Sequence, residues 1–260
     1  IRNNSWEKTV IGVLSLVQAF IVTMIMGIYF KLGEHGLKIG SNPFMLLRET
    51  MDAPIFSNPD YLSKIQGKGL NPLLQNYWMT IHPPTLFLGF ASTVIPFCFA
   101  IAALINKKYT EWLKPVLPWA LFSAFILGMG ILMGAAWAYE ALSFGGYWAW
   151  DPVENMSLVP WLILIAALHS NVVSNATRYS TKPTFVLYII SFILVLYSTF
   201  LTRSGVLGDT SVHAFTEMGL EWQLTIFMIF FTVWAGWLFF RNAKHIYVPN
   251  KIETIEFENE

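Results

Sequence analysis

Two histidines flank a short Trp-rich run, and these residue types together suit the binding of a flat ring that carries iron. His82 stands directly before Pro83-Pro84, and His213 lies further along the chain. The run between them is Gly145, Gly146, Tyr147, Trp148, Ala149, Trp150, Asp151, Pro152, Val153, Glu154 and Asn155. Aromatic rings offer faces to a planar macrocycle, and neutral imidazoles are axial ligands of haem iron. The sequence therefore predicts a haem site, provided that these three segments meet.

Each of these residues, considered singly, has a simpler interpretation. Trp and Tyr are enriched where a membrane meets water, because their rings are apolar and their N–H or O–H groups stay wet. A lone histidine at the end of a membrane span is commonly solvated or bonded to backbone. These alternatives remain open, and only the combination of residues favours haem binding.

A third histidine, His169, lies near the middle of an apolar segment, between Leu168 and Ser170. An ionisable group in lipid is costly, so such residues tend to pair, ligate a metal or line a pathway. The alternative is a neutral imidazole that bonds across a helix interface to a serine or a backbone carbonyl. In another apolar segment, Gly130 and Gly134 form a GxxxG pair that predicts close helix approach.

The composition requires a membrane to hold these residues. The chain of 260 residues is 55% hydrophobic and 12% charged, with a mean hydropathy of +0.52, which is too apolar for a water-soluble domain. A helix of about 20 mostly apolar residues spans the hydrocarbon core of a bilayer. Six segments without Lys, Arg, Asp or Glu qualify, and they are 9–30, 85–105, 116–138, 157–176, 184–202 and 223–240. The sequence predicts an all-α, polytopic transmembrane helix bundle of about six spans in a single domain.

Positive charge predicts which side of the membrane the connections face, since Lys and Arg concentrate in short cytoplasmic segments. A cytoplasmic N-terminus places ten of the 16 basic residues inside, in short segments that include the tail 241–260. Five of the other six lie in or beside one long connection, where the rule is weak. Three connections then lie outside, at 31–84, 139–156 and 203–222. Both flanking histidines and the Trp-rich run therefore share the extracytoplasmic face.

Charge and cysteine content exclude several functions. A formal net charge of zero gives no basic excess for neutralising phosphates, so we expect no nucleic-acid partner. The single cysteine, Cys98, permits no disulfide, CxxC pair or CxxCH haem-attachment motif within this chain, and we expect it to pack in the core. Because the chain begins with Ile1, we interpret it as the interior of a longer polypeptide.

The Trp-rich run resembles the WWD signature of haem-handling membrane proteins, in the form found in the CcmF family of cytochrome c maturation. Further segments agree with that family in order, namely Ser41-Asn42-Pro43-Phe44, Leu70-Asn71-Pro72-Leu73-Leu74-Gln75, His82-Pro83-Pro84, Arg203-Ser204-Gly205-Val206-Leu207 and Ser211-Val212-His213-Ala214-Phe215. The chain departs from the pattern in two places. Phe144 stands where the signature often has another Trp, and Gly208-Asp209 lengthens the path to His213.

The resemblance implies a cytochrome c haem lyase or synthase. Haem b lies on the WWD loop in this interpretation, with His82 and His213 as axial ligands of its iron. The resemblance assigns cofactor binding to Gly145, Gly146, Tyr147, Trp148, Trp150, Asp151, Pro152, Glu154 and Asn155. Arg203 is a candidate partner of a haem propionate. His169 matches a membrane-buried histidine that ligates a second, b-type haem, whose other ligand belongs to a later segment.

The resemblance also implies the partners and the location. The partners are apocytochrome c with its CxxCH thiols, a CcmE-like haem chaperone, a CcmH-like thiol-handling subunit, quinol as reductant and membrane lipid. The location is the bacterial cytoplasmic membrane, with the functional loops on the extracytoplasmic side. Three alternatives stay open, namely a CcsA-type synthase, a haem transporter or electron carrier that forms no thioether bond, and a structural scaffold subunit.

Overall fold

The computed structural model describes residues 6–32, 35–50, 52–67, 69–141, 146–207, 211 and 219–249. Two short strands and nine α helices form in these ranges, in the order α1 (Glu7–Ile25), β1 (Ile28–Leu32), β2 (His35–Ile39), α2 (Leu47–Thr50), α3 (Tyr61–Lys64), α4 (Tyr77–Ser92), α5 (Val94–Asn106), α6 (Leu113–Ala141), α7 (Pro152–Thr177), α8 (Thr181–Arg203) and α9 (Glu221–Asn242). Single 3-10 turns lie at Pro54–Ser57, Pro72–Leu74 and Ala243–His245.

Six helical stretches of the described chain are long and apolar enough to cross a membrane. Helices α1, α6, α7 and α8 each form one stretch, while α4 and α5 together form another, Tyr77–Asn106. The last is Glu221–His245, which contains α9. The prediction of an all-α bundle with six spans is therefore confirmed.

The first helix ends earlier than the sequence predicts, and a hairpin follows it. Helix α1 stops at Ile25, and the chain turns at Gly27, which has a φ of 62° that favours glycine. Strands β1 and β2 then pair antiparallel, with Ile28 opposite Ile39. The hairpin is attached to α9, because Gly40 N donates to Gln223 Oε1 at 2.7 Å.

The helix α4 begins eight residues before the predicted second span. Asn76 caps it, since its side chain accepts from Trp78 N at 2.8 Å. Pro83 and Pro84 lack the N–H groups that would continue the helical bonding, yet they lie inside α4. The same helix makes the most extensive of the helix contacts, along α6. His82 therefore projects from a packed helix, and not from the end of the long connection.

The core surrounds α5. Every residue of this helix from Pro96 to Leu104 is buried, and α5 contacts α1, α6, α8 and α9. The ring of Phe97 lies 4.5 Å from that of Phe192 and 5.9 Å from that of Phe231, measured between centroids. Cys98 is buried in this cluster, as predicted.

Helices α4 and α6 approach closely because glycines remove side chains from their interface. A Cβ added at Gly89 would lie 2.6 Å from the Cα of Leu127, and one added at Gly130 would lie 2.7 Å from the Cα of Leu86. Both distances are shorter than real Cβ contacts allow. The close approach predicted from Gly130 and Gly134 is therefore confirmed.

The connection between α5 and α6 is held by Trp112, and its removal should destabilise the bundle. The Trp112 side chain is fully buried, its Nε1 donates to Tyr109 O at 3.0 Å, and its ring centroid lies 4.4 Å from that of Phe185. We expect Trp112→Ala to lower the free energy of unfolding by ~3–5 kcal/mol, because it removes packing contacts and leaves a cavity. Reversible unfolding in mixed micelles measures this free energy.

The matched control is Trp237→Ala, since Trp237 is 54% exposed on the described bundle. We expect this change to have less than half the effect of Trp112→Ala. Equal losses of stability in the two variants would contradict the role assigned to Trp112.

Candidate functional site

The first turn of α7 shapes the loop before it, residues 146–151, which we call the Trp loop. Asp151 is the N-cap of α7, and its Oδ1 accepts from Val153 N at 2.8 Å. Glu154 Oε2 accepts from the backbone N of Asp151 at 3.1 Å and of Ala149 at 3.0 Å. This capping box satisfies backbone donors at the start of the helix and fixes the path of the chain into it.

Trp150 occupies a backbone conformation that is rare for a bulky residue. Its φ is 58°, in the left-handed region, which costs roughly 1–2 kcal/mol for a residue with a side chain. Bonds on both sides support it, because Glu154 holds the neighbouring N–H groups and Asn155 Nδ2 donates to Trp150 O at 3.3 Å. Trp150 is 71% exposed, and strained residues of this kind cluster at functional sites.

The aromatic rings of the Trp loop lie close together, and the two indoles are perpendicular to each other. The indoles of Trp148 and Trp150 lie 6.1 Å apart at an interplanar angle of 86°. The ring of Tyr147 stacks on Tyr139 of α6 at 4.3 Å and 4°. The Nε1 of Trp148 is buried and has no hydrogen-bond partner among the described residues. A donor inside the site is therefore available to an acceptor on a bound molecule.

The imidazole of His82 is fixed by a backbone carbonyl of α6. His82 Nδ1 lies 2.8 Å from Gly130 O, and a carbonyl oxygen only accepts hydrogen bonds. Nδ1 therefore carries a proton, and in the neutral imidazole the lone pair lies on Nε2. Histidines that bind metals are held in this way, with the second ring nitrogen donating to a carbonyl or carboxylate.

Gly134 makes room for this imidazole. A Cβ added at Gly134 would lie 2.6 Å from Cε1 of His82. The ring of Trp137, on the next turn of α6, lies 6.0 Å from the imidazole, and its Nε1 donates to Leu73 O at 3.2 Å. His82 is thus placed between α6 and the start of the Trp loop.

His82 and the Trp loop line the same cavity. This cavity of about 80 Å³ is bordered by His82, Trp137, Tyr147 and Trp148, among others. A neighbouring cavity of about 500 Å³ also borders on Tyr147 and Trp148, and it extends to Trp150 between α6 and α7. Sites for small molecules measure roughly 300–1,000 Å³. The fold therefore brings the imidazole of His82 to the smaller cavity with Tyr147 and Trp148, while the larger cavity, which is of suitable size, borders on these two residues and on Trp150.

The third connection is attached to the Trp loop at Ser211. The Ser211 side chain is buried, and its Oγ donates to Asp151 Oδ1 at 2.7 Å. His213 follows two residues later and lies outside the described residues, as does Gly145. The chain that leads to His213 therefore meets the Trp loop.

Arg203 is the last residue of α8, and the structure places it at the same end of the bundle as the Trp loop. Ser198 Oγ donates to Met156 O at 2.8 Å, so the end of α8 lies beside the first turns of α7. The predicted contact between Arg203 and a haem propionate remains a prediction.

Pro152 occupies the first helical position of α7, where its missing N–H is not needed.

His169 lies far from the Trp loop and on a different surface. It follows Pro152 by 17 residues along α7, which corresponds to about 25 Å at 1.5 Å per residue. Its Nδ1 lies 2.8 Å from Ile165 O, so the imidazole donates within its own helix and not across an interface. The neighbouring Asn171 donates to Tyr188 OH on α8, whereas the His169 side chain is exposed on the described bundle. His169 and His82 therefore cannot bind one haem.

Sequence reasoning did not select several residues that the structure places at the site. Trp137 and Tyr139 lie on α6, and Ser211 contacts the Trp loop. Gly130, Gly134 and Trp137 are spaced by four and three residues, so they share one face of α6. That spacing was the available signal for Trp137.

Several known proteins are similar to this chain. Residues 3–207 match the family described as Cytochrome C assembly protein. The cytochrome c-type biogenesis protein CcmF of Pseudomonas aeruginosa is 43% identical over 183 residues, which cover 70% of this chain and 26% of that protein. The biogenesis protein CycK of Bradyrhizobium diazoefficiens is 44% identical over 178 residues, which cover 68% and 25%.

A solved structure of cytochrome c haem lyase CcmF is also similar, with a TM-score of 0.53 and 35% sequence identity. The match covers 64% of this chain and 26% of that one. The matched part of this chain thus corresponds to about a quarter of the length of these relatives.

Proposed function

The chain is a CcmF-type member of the cytochrome c assembly protein family, and from this membership we propose that it holds haem on the Trp loop for covalent attachment to apocytochrome c. Family membership and six apolar helices make it a multi-pass membrane protein. The observation that carries the proposal is the cavity shared by His82 and the Trp loop. Because the CcmF and CycK proteins named above are 43–44% identical to this chain, a CcsA-type synthase is not favoured.

Haem b is the substrate of this site in our proposal, and His82 Nε2 is one axial ligand. The hydrogen bond to Gly130 O supports this role, because it fixes both the tautomer and the orientation of the ring before haem arrives. Tyr147, Trp148 and Trp150 supply apolar faces for the macrocycle. The site needs few protein ligands, since the porphyrin supplies four nitrogens to its iron.

His213 is the second axial ligand in this proposal. Ser211 is bonded to Asp151 of the Trp loop, and two residues of extended chain reach at most about 7 Å. This short separation from Ser211 in sequence supports the proposed assignment of His213. Arg203 at the end of α8 is proposed to bind a haem propionate by a charge-assisted hydrogen bond.

The residues of this chain act by orientation. Each cysteine thiol of a CxxCH motif adds across one haem vinyl group, where sulfur bonds to the inner carbon and hydrogen to the outer one. This addition has no leaving group and needs no oxidant. Fixing the haem ring holds both vinyl groups in register with the two thiols, which lowers the entropic part of the barrier. The histidine of CxxCH then displaces one axial imidazole, so release of product is coupled to folding of the cytochrome.

We further propose that the Trp loop faces the extracytoplasmic side of the bacterial cytoplasmic membrane. Lys107, Lys108 and Arg178 lie in the short connections at the opposite end of the bundle, where positive charge favours the cytoplasm. The proposed partners outside are apocytochrome c, a CcmE-like haem chaperone and a CcmH-like subunit that handles thiols. Quinol is the proposed source of electrons.

The decisive experiment is co-expression of the full-length protein with a CxxCH apocytochrome, followed by denaturing electrophoresis and staining for covalently bound haem. We expect a stained cytochrome band that depends on the full-length protein. Haem in the purified protein without a covalent product would favour a transporter or electron carrier instead. A colourless purified protein would favour a structural scaffold.

A second, b-type haem at His169 is a further part of the proposal, and it would pass electrons toward the iron at the outer site. Two observations support this haem site. The Nδ1–H of His169 donates to Ile165 O, and the His169 side chain is exposed on the described bundle, where another segment can complete the coordination. We expect His169→Ala to lower the b-type absorbance of the full-length protein, and to remove the part that remains in a His82→Gly background. A reduced-minus-oxidised spectrum measures it, and an unchanged b-type signal would contradict the assignment.

A further inference from the structure

We propose that the exposed face of α9 binds an anionic phospholipid, with an acyl chain in an apolar groove along the helix and the headgroup at Arg241 and Lys244. The site does not depend on haem binding. Its assignment to the cytoplasmic leaflet rests on the orientation of the bundle in the proposed function, whereas the site itself follows from the groove and from the two basic residues.

The groove lies on the face of α9 that points away from the described bundle. Buried residues of this helix, such as Phe227, Phe231 and Ala235, belong to the side that packs on α5 and α8. The groove has a volume of about 520 Å³, and every residue that lines it is apolar, namely Ile226, Ile229, Phe230, Val233, Trp234 and Trp237. A Cβ added at Gly236 would meet no atom within 4 Å, so open space continues beside the groove. Such a surface takes an apolar occupant.

Two basic residues stand at one end of the groove and on the same face. Arg241 lies one helical turn beyond Trp237, and its Cζ is 5.1 Å from the centroid of that indole. Lys244 lies seven residues beyond Trp237, in the 3-10 turn after the helix, and its side chain is exposed. The contact with the indole holds the guanidinium at the end of the groove, and the N–H groups of arginine suit the binding of phosphate.

The distance from the basic residues to the groove matches the reach of one acyl chain. Half of a hydrocarbon core is about 15 Å thick, which corresponds to about ten residues of helix at 1.5 Å per residue. Counted back from Arg241, this distance ends near Phe231. Val233, Trp234 and Trp237 therefore lie within reach of a chain whose headgroup is at Arg241.

The basic end of α9 lies at the end of the bundle opposite the Trp loop. Tyr109 OH donates to Asn242 Oδ1 at 2.7 Å, and Tyr109 precedes α6, whose other end leads to the Trp loop. Basic residues close to the membrane surface attract anionic lipids. A phospholipid with a negative headgroup therefore matches both the apolar groove and the two positive charges that follow it.

The test uses the full-length protein in phosphatidylcholine nanodiscs that contain a minor fraction of phosphatidylglycerol with a photoactivatable acyl chain. Mass spectrometry of peptides after illumination measures the labelling of α9. We expect labelling between Val233 and Trp237, at a level at least tenfold above that of phosphatidylcholine with the same acyl group at the same mole fraction. Each basic residue near a membrane surface contributes roughly fivefold to the binding of an anionic lipid.

Arg241→Gln combined with Lys244→Gln should remove this preference for phosphatidylglycerol. Labelling of α9 by phosphatidylcholine should stay unchanged in the double variant, which shows that the helix is folded and its face still open. The matched control is Lys114→Gln, since Lys114 is exposed at the start of α6, at the same end of the bundle, and does not line the groove. We expect this variant to keep the preference of the parent protein.

Three results would overturn the proposal. Equal labelling of α9 by the two lipids in the parent protein would show that the headgroup makes no contribution. No labelling of α9 would show that another segment of the full-length protein covers this face. An equal loss of preference in Lys114→Gln would show that the general charge of the surface attracts the lipid, and not Arg241 and Lys244.

Discussion

Replacing His82 with glycine in the full-length protein will remove most haem from the outer site and will leave the remainder with an open coordination position. Nε2 of His82 carries the lone pair, and the bond from Nδ1 to Gly130 O already orients the ring. Loss of the imidazole therefore removes a ligand whose ring the protein already holds in place. We expect haem affinity at this site to fall by roughly tenfold or more, since even outer-shell partners of metal ligands contribute about that much.

The haem content per protein and the visible spectrum of the purified protein measure this effect. Free imidazole should restore the six-coordinate spectrum of His82→Gly, because the substitution leaves space where the ring was. His245→Gly is the matched control, since His245 is exposed at the opposite end of the bundle. Unchanged haem content in His82→Gly would refute the ligand role of His82.

Replacing Gly134 with valine will reduce haem binding at the outer site by a comparable factor, although His82 itself remains. A Cβ at position 134 would lie 2.6 Å from Cε1 of His82, so the imidazole must move. This movement breaks the bond to Gly130 O and displaces the imidazole from its position in the cavity beside Trp148. We expect a loss of affinity of ~10–100-fold, which is typical when the support of a metal-ligating histidine is removed.

The control for this variant is Gly236→Val in α9, where an added Cβ meets no atom within 4 Å. Both substitutions place a β-branched residue in a helix, so their intrinsic helical cost is similar. The b-type absorbance assigned to His169 reports whether the bundle of Gly134→Val has stayed folded. Equal haem binding at the outer site in the two glycine variants would contradict the packing role of Gly134.

The six spans could be predicted from the sequence because lipid imposes a simple condition. Backbone groups in hydrocarbon must bond within their own helix, so each span needs a continuous apolar segment that is visible in the sequence. The predicted segments starting at residues 116, 157, 184 and 223 all lie inside observed helices. The pair Gly130 and Gly134 likewise indicated close packing, because small residues act locally through their own lack of side chain.

The structure at both ends of the long connection, 31–84, depends on tertiary contacts that cannot be seen in the sequence. Pro83 and Pro84 favour the end of a helix, yet packing of α4 along α6 keeps them helical, and the helix extends back to Tyr77. The hairpin of β1 and β2 follows a left-handed turn at Gly27 and is joined to α9 through Gln223. These tertiary contacts outweighed the local preferences used in the prediction.

For the site, the sequence by itself determined the residue types, namely the indoles and the histidines. It also determined the capping box of α7, because Asp151 and Glu154 stand three residues apart. Only the tertiary structure decided that His82 donates to Gly130, 48 residues away, and that Ser211 donates to Asp151, 60 residues away. The physical reason is the distance along the sequence over which each interaction acts. Caps and spans follow from interactions between near neighbours in sequence, whereas the tautomer of an imidazole and the attachment of a distant loop depend on which helices pack together.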